Sequence, residues 1–235
     1  MLRWLFSDAG EVLIHMPPWP DRMRRALRGL GLAVDEARLG EALRAGEEWL
    51  SSRPHQDLAP DFAAEDAHVL GHLEVVARAL GIAGLDPRYL RETCYYVGAC
   101  HPFADAAPGL LAVRAMGFRL GLISNAPPSL RAVLVRFDLA PLFDHLTLSS
   151  DHGIMKPDPR IYAAALEGAG ASPEEAVYID DVPANVDAAR DAGFARVWLV
   201  DHDGHAPDRP DRITDLHALA PLLAAESPAA AAAGS

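Results

Sequence analysis

The segment Ala176-Val177-Tyr178-Ile179-Asp180-Asp181-Val182-Pro183-Ala184-Asn185 limits the possible folds of this chain more than any other. A short β-branched and aromatic run reads as a buried strand. The stretch that follows it, Asn185 to Arg190, reads as a helix. Two adjacent acids therefore sit on a strand-to-helix turn, where open α/β sheets keep their sites. Like charges at close range oppose joint ionisation, so such a pair points to a cation, the plainer alternative being a solvated acidic turn.

Other apolar runs end in the same way. Leu2 to Ser7 is followed by Asp8, and Phe118 to Ile123 by Ser124-Asn125. The run Phe143 to Leu148 leads into a connection carrying Lys156-Pro157, and Ala195 to Val200 forms a last run. Helical segments separate them: Leu110 to Met116, Pro128 to Phe137, Arg160 to Glu167 and Ala184 to Ala192. Strands alternating with short helices imply a parallel sheet, in which all strand ends point one way and their polar groups converge. Taken singly, Asp8 also reads as a turn cap and Lys156 as a surface lysine.

The alternation is interrupted after Ile14-His15-Met16-Pro17-Pro18, which reads as a hinge. Met23, Ala26, Leu27 and Leu30 then recur at helical spacing. Asp35 caps a second helical segment reaching Trp49. Leu70, Leu73, Ala77 and Leu80 form a third stripe, stopped by Gly81, and Asp86-Pro87 starts a fourth. Cys94 and Cys100 fall in one expected helix, with neither a zinc pattern nor a disulfide framework. They read as buried thiols in a reducing cytosol. The pattern ends near His101-Pro102.

The chain has 235 residues, half of them hydrophobic, enough for one α/β core plus a small inserted domain. A net charge of -12 without a basic run argues against nucleic acid or anionic membranes as partners. No apolar stretch approaches a membrane span, and no secretory signal is evident at the start, so a cytoplasmic protein is expected. Ser227 to Ser235 is alanine-rich and reads as a frayed tail.

The order Asp8, Ser124-Asn125, Lys156-Pro157, Asp180-Asp181 with Asn185 resembles the haloacid dehalogenase superfamily of hydrolases and phosphotransferases. The resemblance covers about the first 220 residues. It implies a Rossmann-like parallel sheet core, residues 1–14 and 102–225, with an inserted helical-bundle cap, residues 15–101; the alanine-rich composition sets 226–235 apart as an expected disordered tail. It also implies Asp8 as a nucleophile that forms an aspartyl phosphate. Asp181 is the expected Mg2+ ligand, with Asp180 acting behind it or through water. Lys156 should contact both Asp8 and a phosphate oxygen. Ser124, with the Asn125 backbone amide, should hydrogen-bond the phosphate, and Asn185 should orient the acid pair.

The chain departs from the family just after Asp8. Many family phosphatases read Asp-x-Asp-Gly-Thr, and their second acid protonates the leaving group. Here Gly10 takes that place, followed by Glu11. Gly10 can still offer its carbonyl to Mg2+, but the missing acid removes about two to four orders of magnitude unless it is replaced. Glu11, one residue out of register, is one candidate replacement, and a glycine here also raises the option of a positive φ.

Substrate choice is expected from the cap, with His15, Trp19, Trp49, Arg53, Tyr95 and Tyr96 as candidates, unless the aromatics are simply cap core. His101 and His152 read as structural. The leading expectation is a Mg2+-dependent phosphatase of a small phosphorylated metabolite. A metal-free 2-haloacid dehalogenase and a catalytically weak binding or regulatory protein are the alternatives.

Overall fold

In this computed structural model, residues 1–206 and 208–225 are described, except for the side chains of Tyr96, Val97 and Ala225. The expected tail, 226–235, lies outside them. Strand β1 (Trp4–Ser7) is followed by β2 (Ile14–His15), helix α1 (Trp19–Gly29), α2 (Glu36–Ser51), α3 (Phe62–Leu80), α4 (Pro87–Cys94), α5 (Tyr96–Ala99) and strand β3 (His101–Pro102). Then come α6 (Ala106–Ala115), β4 (Arg119–Ser124), α7 (Leu130–Arg136), β5 (His145–Leu148), α8 (Ser149–His152) and α9 (Pro159–Ala169). The chain continues through β6 (Ala176–Asp180), α10 (Pro183–Asp191), β7 (Arg196–Val200), β8 (Arg212–Ile213) and α11 (Leu219–Ala225).

Six strands form a parallel sheet in the order β5-β4-β1-β6-β7-β8. β6 is buried at every position, as expected for a strand covered on both faces. Side chains alternate between the faces. Leu5, Leu120, Leu122, Val177 and Ile179 join one apolar cluster, with residues of α6, α7 and α11. Trp4, Phe6, Ile123 and Tyr178 join the other, with residues of α9 and α10. From β1 the chain builds outward on one side through β4 and β5, then crosses to build the other side from β6. The switch point thus lies between β1 and β6, where α/β sheets open a crevice at the carboxyl ends of their strands.

The segment between β2 and β3 is helical and has its own core of Met23, Leu27, Leu43, Leu73, Val76 and Leu80. Asp35, Asp61 and Asp86 cap α2, α3 and α4 by accepting main-chain hydrogen bonds. Gly46 and Gly71 allow α2 and α3 to approach closely. A Cβ on Gly46 would lie 2.5 Å from His72 Nε2, and one on Gly71 would lie 2.7 Å from Trp49 Cζ2.

Several details differ from the sequence reading. The hinge residues Ile14-His15 pair antiparallel with His101-Pro102, so entry and exit of the insert form one short ribbon. Leu30 is exposed because α1 ends before it. Cys94 and Cys100 do not share a helix: Tyr95 is extended (φ -102, ψ 153), which ends α4 and brings its hydroxyl to His72 Nδ1 at 2.9 Å. Both thiols are buried, as expected. β8 and α8 are too short to announce themselves by periodicity.

Candidate active site

Asp8 follows β1, with its amide donating to Ile179 O of β6 (2.9 Å). Ser124 ends β4, Lys156 lies between α8 and α9, and Asp180 ends β6. All four are buried. One carboxylate oxygen each from Asp8, Asp180 and Asp181 lies within 4.8 Å of the others. The expected convergence of strand ends therefore includes Asp8, Lys156 and the acid pair.

Lys156 is the only lysine in the chain. Its Nζ donates to Asp180 Oδ2 (2.6 Å) and to Tyr178 OH (3.1 Å), and lies 2.8 Å from Asp8 Oδ1 as an ion pair. Burial opposes its charge, but Asp180 and Asp8 outweigh that and raise its pKa. A compact ammonium can serve three oxygens around one point, which a planar guanidinium cannot match.

The two acids of the pair differ in environment. Asp180 is fully buried and its oxygens are engaged: Val182 N (2.8 Å) and Asn185 Nδ2 (3.0 Å) donate to Oδ1, and Lys156 Nζ and the Tyr178 hydroxyl donate to Oδ2. Asn185 thus holds the first acid of the pair, as expected. Asp181 instead lines a cavity of about 300 Å3 together with Glu11, Phe103 and His202. Burial, Asp8 and Asp180 push its carboxyl up to about 7. Burial also raises the Asp8 pKa, against the pull of Lys156 and Ser124, and Asp180 adds to the rise.

Asp8 Oδ1 is buried and faces Lys156 Nζ at 2.8 Å, with the Asp180 and Asp181 carboxylates clustered beside it. Three carboxylates converging there, with the charge of Asp181 made costly by burial and by the other two, fit a hard divalent cation such as Mg2+. Asp8, Asp181 and the Gly10 carbonyl are the candidates to hold it, with Asp180 bound up behind them.

Asn125 does more than its sequence position suggested. Its Oδ1 accepts from Lys156 N (2.7 Å) and its Nδ2 donates to Lys156 O (3.0 Å). Tyr178 and Tyr162 were not singled out as site residues. Tyr178 touches both Lys156 and Asp180, while Tyr162 OH donates to Asn185 O (2.9 Å). Tyr178 sits one pleat before Asp180 on the same face of β6, and that period-two spacing was the available signal.

Gly10 is adjacent to Asp8: a Cβ there would meet Asp8 Oδ2 at 3.9 Å, an ordinary contact. The left-handed residue of this turn is Glu11 (φ 49), not Gly10. Glu11 accepts from Met16 N (3.1 Å) and pairs with His15 Nδ1 (2.8 Å), so its carboxylate ties the turn to the β2 hinge.

Within the insert, Trp19, Arg53 and Tyr95 line a cavity of about 540 Å3. Trp49 packs on Gly71 and carries Arg53 over its ring at 3.9 Å. His101 is exposed beside Arg25, and His152 is exposed on α8. The insert reaches the core through Glu65 Oε2, which accepts from Ser129 N (2.9 Å), and through Asp57 O, which accepts from Ser149 Oγ (2.5 Å).

The family description for haloacid dehalogenase-like hydrolases matches residues 21–193. The chain belongs to this family. It is 38% identical over 148 residues to the phosphoserine phosphatase of Thermus thermophilus, covering 60% of this chain and 59% of that protein's length. The chain thus spans about three fifths of that relative. A glyceraldehyde 3-phosphate phosphatase of Methanopyrus kandleri is 33% identical over 210 residues, covering 85% of this chain and 84% of the relative. A (S)-2-haloacid dehalogenase of Pseudomonas putida is 28% identical over 157 residues, covering 66% of each. The crystal structure of a HAD phosphatase from Thermococcus onnurineus superposes with a TM-score of 0.65 at 24% identity, covering 95% of this chain and 98% of that one. That likeness establishes the shared α/β fold. No helix among the described residues is long and apolar enough to cross a membrane.

Proposed function

We propose that this hydrolase cleaves small phosphate monoesters through an aspartyl phosphate on Asp8 and depends on Mg2+. The observation that carries the reading is the cluster of Asp8, Asp180 and Asp181 oxygens within 4.8 Å. A halide-releasing enzyme has no dianionic substrate to neutralise and no need of that third, open acid.

Asp8 attacks phosphorus, the phosphorus–oxygen bond to the alcohol breaks, and water then cleaves the acyl phosphate. Lys156 keeps Asp8 ionised for attack and stabilises charge on the transferring group. Asn125 holds the Lys156 main chain, and Ser124 orients the phosphate beside it. Asp180 acts as the fixed counter-charge of Lys156, and Asn185 keeps it in place. Mg2+, held by Asp8, Asp181 and the Gly10 carbonyl, would neutralise the repulsion between the phosphate dianion and Asp8. We also read the insert, residues 15–101, as a cap that limits access to small substrates. The protein is taken as acting inside the cell, on a phosphorylated metabolite.

The test is a panel of phosphate monoesters assayed with Mg2+ and with a chelator, alongside chloride release from 2-chloroacids. Turnover of esters only with Mg2+ supports the proposal. Chloride release in chelator without ester turnover supports the dehalogenase reading, in line with the Pseudomonas relative. An adduct of beryllofluoride on Asp8 without turnover of either class supports a binding or regulatory protein.

A further inference from the structure

The ammonium of Lys156 carries three N–H donors. Three protein oxygens surround it: Asp180 Oδ2 at 2.6 Å, Asp8 Oδ1 at 2.8 Å and Tyr178 OH at 3.1 Å. The resting lysine therefore has no proton to spare. A phosphoryl group arriving beside Asp8 draws on the same cation, which brings a fourth oxygen to Nζ. One of the three has to give way while the phosphate is bound.

The three are not equal. Asp180 and Asp8 are carboxylates, and hydrogen bonds to ionised acceptors are roughly twice as strong as neutral ones. Tyr178 is the neutral acceptor and makes the longest contact. Releasing either carboxylate separates buried opposite charges, whereas releasing the hydroxyl separates none. The hydroxyl also donates its own proton to Asp180 Oδ2, so it stays hydrogen-bonded when the lysine leaves.

The tyrosine itself is held. Tyr178 is fully buried on β6. Its ring meets Tyr162 edge-on with centroids 5.6 Å apart, and Phe194 lies 5.6 Å away on another side. Tyr162 OH is tied to Asn185 O (2.9 Å), and Asn185 Nδ2 donates to Asp180 Oδ1 (3.0 Å). The hydroxyl is a fixed post, and the end of the long lysine stem is the part free to shift.

We propose that Tyr178 is a positioning residue that holds the third proton of Lys156 in the empty site and yields it to a phosphate oxygen when substrate binds. This rests on the reading of the Asp8 site as a phosphatase. No covalent bond changes in the exchange: one hydrogen bond from Nζ moves from the Tyr178 oxygen to the phosphate oxygen, Lys156 keeps its charge and Tyr178 keeps its proton. The arrangement leaves no buried donor unsatisfied before substrate arrives. It also weakens phosphate binding by the hydrogen bond that must break.

Tyr178→Phe removes the competing acceptor and keeps the ring. Inorganic phosphate, titrated by calorimetry with Mg2+ present, should bind this variant roughly three- to tenfold more tightly than the wild type, the range of one neutral hydrogen bond. KM for an aryl phosphate should fall by a similar factor with no rise in kcat, the pattern of a gain shared by ground and transition states. Tyr162→Phe, one ring further back, should not tighten phosphate. A tyrosine that served only packing would give weaker phosphate binding or a lower kcat at unchanged KM. Unchanged or weaker phosphate binding in Tyr178→Phe, with esters still turned over, overturns the exchange and leaves the phosphatase reading intact. Tighter phosphate binding in the variant, without ester turnover by the wild type, keeps the exchange and counts against the phosphatase reading. Neither phosphate binding nor turnover overturns both. A crystal structure of the wild type with Mg2+ and inorganic phosphate tests the proposal even if the variant fails to fold. Lys156 Nζ should then lie within hydrogen-bond distance of a phosphate oxygen and of Asp180, and beyond it from Tyr178 OH. A lysine that keeps Tyr178 and releases a carboxylate, or that meets no phosphate oxygen, overturns the proposal.

Discussion

The side chain of Asn125 grips the main chain of Lys156 from both sides, accepting from its amide at 2.7 Å and donating to its carbonyl at 3.0 Å. The carboxyl end of β4 thereby sets the height of the only ammonium in the site. Asn125→Ala removes both hydrogen bonds and leaves main-chain groups of a half-buried segment to find water. Stability should fall by about 1–3 kcal/mol. Turnover should fall roughly 10- to 100-fold, because a displaced Lys156 no longer lies between Asp8 and Asp180. Urea melts and steady-state rates on one aryl phosphate check both numbers. A rate loss without any shift in the melt would separate Asn125 from the lysine and give it a direct role on phosphate.

The two members of the acid pair should respond oppositely to amidation. Asp180→Asn leaves Lys156 with Asp8 as its remaining carboxylate partner, so it should destabilise the fold, by less than the about 3–5 kcal/mol of leaving a buried charge unpaired. Asp181→Asn should leave the metal-free fold equally or more stable. The sign follows from its raised pKa: between the ordinary 3.8 and about 7 the folded state binds more protons than the unfolded one. Stability is then lost as pH rises through that window, and the amide escapes the loss. The same variant should bind Mg2+ more weakly. Melts at pH 7.5 without metal, and calorimetry with Mg2+, distinguish the two. A lower melting temperature for Asp181→Asn than for Asp180→Asn would reverse the assignment.

Leaving-group protonation should be the slow feature of the wild type. Gly10 supplies no acid, and Glu11 is held by Met16 N and His15. Rates over a series of aryl and alkyl phosphates should depend steeply on leaving-group acidity. Gly10→Asp is sterically permitted, since the added Cβ makes only an ordinary contact with Asp8. It should favour alkyl esters over aryl esters by about 10-fold or more. A flat series in the wild type would reveal a proton donor elsewhere in the site.

His72 should make the insert sensitive to mild acid. Burial first, then His68 and Arg22, lower its pKa from 6.5 to about 4. Between those values the unfolded chain binds the extra proton, so stability falls as pH is lowered from 6.5 towards 4. The contribution is on the order of 2 kcal/mol. His72→Gln removes the titration and can still reach the Tyr95 hydroxyl. Denaturant melts at pH 7 and pH 5 should show a smaller loss in the variant than in the wild type. Equal losses would place the acid sensitivity in other groups.

The core strands and the convergence of Asp8, Lys156 and Asp180-Asp181 were legible because parallel strands align their ends and periodicity marks each strand. Ser124 and Asn125 were legible by position, but the two-way clamp on Lys156 was not. It depends on a side chain meeting a main chain 31 residues later, and no local pattern encodes that. Tyr178 was visible only as an apolar strand residue, although its hydroxyl completes the lysine's shell. The helical stripes of the insert were legible, whereas the break at Tyr95 was not, because it answers to His72 across the bundle rather than to its neighbours. Gly10 suggested a left-handed backbone, yet Glu11 adopts it, stabilised by the contacts of its own carboxylate with the hinge.

The central claim is a phosphoryl group carried by Asp8. During turnover of an aryl phosphate with Mg2+, the enzyme is quenched and treated with borohydride, which reduces an acyl phosphate to the alcohol. Peptide mass spectrometry then reads position 8. The account predicts homoserine at position 8 in the wild type, dependent on both substrate and Mg2+, and none in Asp8→Asn. Sustained turnover with position 8 unmodified, or a reduced acid at another position, would contradict it.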